Sequence, residues 1–116
     1  MTFDAPSGAK RIRLASIEGT EKDLFLTGKD CPAGQWMLEN LTYHWGLHAS
    51  FSPAQVDKCL LNVNRKQNRV NLELYSRERV LKPDETLSVQ YTWRVIRNTA
   101  REYSGPGSSG FGRWGF

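Results

Sequence analysis

Apolar and polar residues alternate strictly from Leu87 to Val95. Leu87, Val89, Tyr91, Trp93 and Val95 are separated by Ser88, Gln90, Thr92 and Arg94. A period of two gathers the apolar side chains on one face of an extended strand, whereas a helix would scatter them around its axis. A strand of this kind must lay its apolar face on another layer, which confines the chain to a layered β architecture.

The same period recurs upstream. Ile12 and Leu14 oppose Arg11 and Arg13, predicting a first strand over 11–17. A second is predicted over 23–27, and Val70, Leu72 and Leu74 set the core face of another over 69–75. Between 35 and 51, Met37, Leu41, Tyr43, Trp45, Leu47, Ala49 and Phe51 hold odd positions. Asn40, Thr42, His44, His48 and Ser50 hold even ones. That run is long for one strand, and Gly46 inside it predicts a bend, a bulge or two successive strands. Ser52-Pro53-Ala54-Gln55 has a helix-start pattern: a capping serine, proline at the first helical position and glutamine closing a capping box. Phe51 and Val56 are spaced as a staple across it. Leu60 to Val63 could be a strand as well as a helix end, and 65–68 is a turn.

The expectation is an all-β chain. It is a single antiparallel β-sandwich (jelly-roll or immunoglobulin-like) of about seven strands, with one short helix near 53–60. The run Leu81 to Val89 resembles the corner before the penultimate strand of fibronectin type III-like sandwiches, and that resemblance implies a sandwich. With 116 residues, 39% of them hydrophobic, one domain suffices. Residues 10–103 would form it, flanked by an N-terminal arm over 1–9 and a glycine- and aromatic-rich C-terminal arm over 104–116. No apolar run approaches the ~18 residues of a membrane span, and Met1 to Pro6 lacks a secretory pattern. The chain is expected in a virion or the cytoplasm, away from membranes.

Charge is uneven. Residues 59–116 hold ten of the 16 basic residues and only five of the 12 acidic ones. Eight arginines lie in that half, a composition suited to an acidic partner face or simply to solvent. Cys31 precedes a proline and Cys59 sits in an apolar run. One bridge between them is conceivable, and no zinc spacing is present.

The C-terminal arm carries the main functional expectation. Phe111, Trp114 and Phe116 stand among glycines that cannot build a core around them. They are expected to anchor in neighbouring protein subunits, with Arg113 pairing to an acid or carbonyl and Phe3 anchoring the N-terminal arm. The most concrete version is a virion accessory protein, either a capsid decoration or cement protein or an adaptor, assembling with itself or a larger partner. The alternative is a carbohydrate-binding module with Trp36 as platform and Asn40 and His44 reaching hydroxyls. One arginine beside the aromatics is thin chemistry for nucleic acid. His44 and His48 share parity but lack the third and fourth ligands of a metal site. No nucleophile elbow, phosphate loop or paired carboxylates point to an enzyme, and no cofactor is expected.

Overall fold

The computed structural model describes residues 1–97. Eight strands form: β1 (Thr2–Ala5), β2 (Gly8–Arg11), β3 (Glu21–Thr27), β4 (Gln35–Asn40), β5 (Trp45–Phe51), β6 (Lys58–Asn64), β7 (Arg69–Tyr75) and β8 (Tyr91–Arg97). They make two sheets with every pairing antiparallel. One has five strands in the order β2-β1-β4-β5-β8, and the other has three in the order β3-β6-β7. No helix of the described residues is long and apolar enough to cross a membrane.

Residues directly opposite in an antiparallel pair share a face. Trp36 faces Ala49 and Leu38 faces Leu47 across β4 and β5, and those two residues of β5 face Trp93 and Val95 of β8. In the smaller sheet, Leu24, Leu61 and Leu72 stand in one row, and Leu26, Cys59 and Leu74 in the next. These inner faces meet in one core containing Phe3, Trp36, Leu38, Ala49, Phe51, Cys59, Leu61 and Val63.

The expected arm over 1–9 is instead a hairpin of the larger sheet. Thr2 to Ala5 pair with Gly8 to Arg11, and the main chains of Met1 and Ile12 exchange two further hydrogen bonds. Met1, Phe3 and Ala5 alternate onto the core face and are buried. The expected first strand over 11–17 is cut short at Arg11. Leu14–Ser16 form a 3-10 turn. The Arg65 guanidinium donates to the carbonyls of Leu14 and Ala15 at 3.0 and 3.2 Å, and also to that of Ile17. Gathering these carbonyls around one cation curls the backbone into a turn, so it does not run on as an extended strand.

The helix near 53–60 is not formed. Pro53–Gln55 make a single 3-10 turn, and Ser52 makes no side-chain cap. From Lys58 the chain enters β6, the central strand of the smaller sheet, paired along its whole length on both sides. Two complete ladders outweigh a local helix start that offers only about two turns.

Gly46 does not mark a bulge, since it pairs in register with Glu39 and Ile96. A β-carbon there would lie 3.2 Å from the Leu38 carbonyl oxygen and 3.5 Å from Met37 Sδ. The glycine makes room for the Met37 side chain on the outer face.

Leu61→Ala empties the fully buried centre of the core and should lower the unfolding free energy by about 2–5 kcal/mol. Val80→Ala, at a residue 94% exposed, should change it by less than about 0.5 kcal/mol. Urea denaturation of the two variants checks both.

Candidate functional site

The five-stranded sheet is wider than the sheet that covers it, and β8 lies beyond the cover. Its inward residues are displayed instead of buried: Trp93 is 58% exposed and Val95 64%. On the opposite layer the edge strand is β7, whose Val70, Leu72 and Leu74 are only partly buried. Between these two edges runs a groove of about 380 Å³ lined by Leu38, Leu47, Val70, Leu72, Tyr91 and Trp93. It continues through Leu38, Leu47 and Val70 into a second hollow of about 520 Å³, bounded by Leu14, Trp45, Val63 and Arg69. A concave, mostly apolar channel of this size is the usual form of a binding site.

The floor of the groove is held by an aromatic cluster. Trp36 Nε1 donates to the Tyr91 hydroxyl at 3.2 Å. The Trp36 ring meets Phe51 and Tyr91 edge-on, with centroids 6.0 and 6.3 Å away. Such tilted contacts suit the ring quadrupoles. Burial pushes the Tyr91 phenol above its ordinary pKa, and the Trp36 hydrogen bond partly opposes this.

The residues of the carbohydrate reading are not brought together. Trp36, expected as the platform, is 1% exposed and belongs to the core. Asn40 caps the following turn, its Oδ1 accepting from the Thr42 and Tyr43 amides at 2.9 and 3.0 Å. His44 lies exposed in that turn, with φ at +56°. The four residues 41–44 exchange parity between strands, so Trp36, Leu38 and Asn40 share a face with Trp45, Leu47, Ala49 and Phe51. The most exposed tryptophan among the described residues is Trp93, which alternation alone assigns to the core. The signal missed in the sequence is its place on an edge strand.

Of the expected partner anchors, Phe3 is committed to this chain's own core at 7% exposure. Phe111, Arg113, Trp114 and Phe116 lie outside the described residues, as does all of 104–116.

Three other clusters stand apart from the groove. On the outer face of the smaller sheet, Lys58 Nζ lies 5.3 and 5.2 Å from the ring centres of Phe25 and Tyr75, a cation–π arrangement on an exposed surface. On the outer face of the larger sheet, Lys10, Arg11, Gln35 and His48 border a hollow of about 520 Å³. His48 Nε2 sits 3.0 Å from Gln35 Oε1, and burial together with Arg94 lowers its pKa. Cys31 and Cys59 are free thiols in hydrogen-bond contact, and burial raises both pKa values. Among the described residues, no three His, Cys, Asp or Glu side chains stand close enough to hold a metal ion.

Compared with known protein families, curated proteins and solved structures, the chain matches none of them.

Tyr91→Phe leaves the buried Trp36 N–H without its acceptor. The loss should be about 1–3 kcal/mol of stability, the cost of an unsatisfied buried donor. Chemical denaturation measures it, and Tyr43→Phe in the exposed turn serves as the neutral control.

Proposed function

We propose that this protein is a non-enzymatic assembly module that docks onto neighbouring protein subunits. The observation that carries this reading is the segment 76–90, between β7 and β8. It spans fifteen residues without a strand or helix of its own, and it displays Val80 (94% exposed), Leu81, Leu87 and Val89. Its ion pair, Arg79 to Glu85 at 2.9 Å, and its backbone hydrogen bond, from the Glu85 amide to the Lys82 carbonyl, are both internal. It is fastened where it re-enters the fold, by the Gln90 amide donating to Gln55 Oε1 at 3.0 Å.

Scattered single apolar residues on a surface need no explanation, but four on one long loop do. Long loops without secondary structure are usually functional. Each aliphatic side chain buried at an interface would contribute up to about 1.5–3 kcal/mol, so this loop suits a protein partner better than a small polar ligand. Attachment to a virion, as a decoration or cement protein or an adaptor, is the most specific form of the proposal. The four connections that cross between the sheets (β2–β3, β3–β4, β5–β6 and β7–β8) favour an immunoglobulin-like or jelly-roll sandwich as the finer fold type. No observation favours the carbohydrate reading once Trp36 belongs to the core.

Sedimentation velocity tests self-assembly. The full chain should form larger species as its concentration rises. The double variant Val80→Glu, Leu87→Glu should stay monomeric with an unchanged circular dichroism spectrum. Two indistinguishable monomers would overturn self-association through this loop.

A further inference from the structure

Cys31 stands in the connection from β3 to β4, and Cys59 stands in the core on β6. We propose that this pair is an oxidation site: a low-molecular-weight disulfide converts the two thiols into one intramolecular bridge, which clamps the β3–β4 connection, and the N-terminal hairpin fastened to it, onto the smaller sheet. The inference goes beyond the assembly reading and does not depend on it.

Geometry comes first. Cys59 is fully buried and pairs with Leu26 on one side and Leu74 on the other, so its backbone is fixed. Cys31 follows the 3-10 turn Gly28–Asp30 and donates its amide to the Gly28 carbonyl at 3.2 Å. Its φ and ψ of −74° and 133° are the extended values that the next residue, Pro32, favours. The local chain thus sets the Cys31 side chain against the core, with the two thiols in hydrogen-bond contact. A bridge needs the sulfurs about 2.05 Å apart. Thiols that already touch close that gap by a small adjustment of the connection, while β6 stays in its ladders.

Chemistry comes second. Cys31 is partly exposed and Cys59 is buried, which orders the steps. The Cys31 thiol gives its proton to water, and its sulfur attacks one sulfur of the small disulfide. That S–S bond breaks, and the thiolate that leaves takes up the released proton. Cys59 then gives up its proton as its sulfur attacks the Cys31 sulfur, and the second thiolate leaves with that proton. The two cysteines lose two electrons and the small disulfide gains them. The second step is internal, so the burial of Cys59 does not block it. Burial raises both thiol pKa values, and the Asp57 charge adds to the rise at Cys31. A small thiolate fraction makes the exchange slow. No stabilised thiolate favours the reduced pair, so the bridge is durable once formed.

The consequence follows from what the connection holds. The Ser7 amide donates to the Lys29 carbonyl at 2.9 Å, and the Ala33 amide to the Asp4 carbonyl at 2.8 Å. The Asp30 carboxylate takes Ser7 Oγ at 2.9 Å and Lys10 Nζ at 3.3 Å. These contacts lie on both sides of Cys31 and tie the connection to the hairpin of β1 and β2. The bridge ties the same stretch to the core.

The test exposes the full chain, freed of reductant, to oxidised glutathione. The intact mass should fall by two hydrogens with no adduct retained, and peptide mapping should join Cys31 to Cys59 within one chain. Two free thiols, a glutathione adduct that persists on Cys31, or a bridge between chains would each overturn the proposal. Cys59→Ala should stop at one glutathione on Cys31, and Cys31→Ser should take up none. The reverse pattern would overturn the order of steps. The clamp is read on the unaltered chain by amide hydrogen exchange, oxidised against reduced. The Ser7 and Ala33 amides should exchange about tenfold more slowly in the oxidised form. Equal exchange in the two forms would overturn the clamp.

Discussion

A sheet can bury only as much of its inner face as the opposing layer covers. Neighbouring strands lie about 4.8 Å apart, so five strands opposed by three leave roughly two strand widths to be covered by something else. The chain treats the two margins differently. At the β1 margin, Met1, Phe3 and Ala5 turn inward and close the core. At the β8 margin Trp93 and Val95 stay mostly exposed. The contrast along one row decides the matter: Trp36 and Ala49 are fully buried, and Trp93, next in register, is mostly exposed. The groove, its aromatic floor and the need for an apolar occupant all follow from this difference in width.

The closed margin depends on polar fastenings as much as on apolar packing. Ala33 donates to the Asp4 carbonyl and Ser7 to the Lys29 carbonyl, at 2.8 and 2.9 Å. Lys10 and Ser7 both reach the Asp30 carboxylate, and that contact holds its pKa below the ordinary range. The pair is exposed and contributes little to stability, so its effect is to fix where the hairpin lies. Arg65 does similar work at the far end by gathering three carbonyls from one turn. This also shows why a basic half need not be a binding face: Arg65 and Arg79 are already engaged within the chain.

Local periodicity was readable over β7 and over the second part of 87–95, where strand pairing begins only at Tyr91. β7 runs over Arg69–Tyr75 with Val70, Leu72 and Leu74 inward, as its alternation predicts, and 65–68 is a turn closed by Asn64 and Asn68. Two kinds of information were not local. Parity across 41–44 depends on the number of residues in the turn, so a reading that carried odd positions through it assigned Trp36 to solvent. Burial depends on which strand lies at an edge, and the alternation that puts Trp93 on the inner face does not show that its strand lies there. The helix start at Ser52 failed for a related reason: three valid capping cues introduce a segment whose long-range pairing on two sides is worth more.

The two uncovered apolar surfaces differ in shape, and shape limits what can cover each. The groove is concave and offers an occupant two apolar walls, one from β7 and one from β5 and β8. The 76–90 loop is fastened at Tyr75 and Gln90 and displays Val80 at its outer side. A surface on which nearly all of a side chain faces outward gains burial only when a second body arrives with a complementary hollow. The groove can therefore enclose what enters it, while the loop must itself be enclosed.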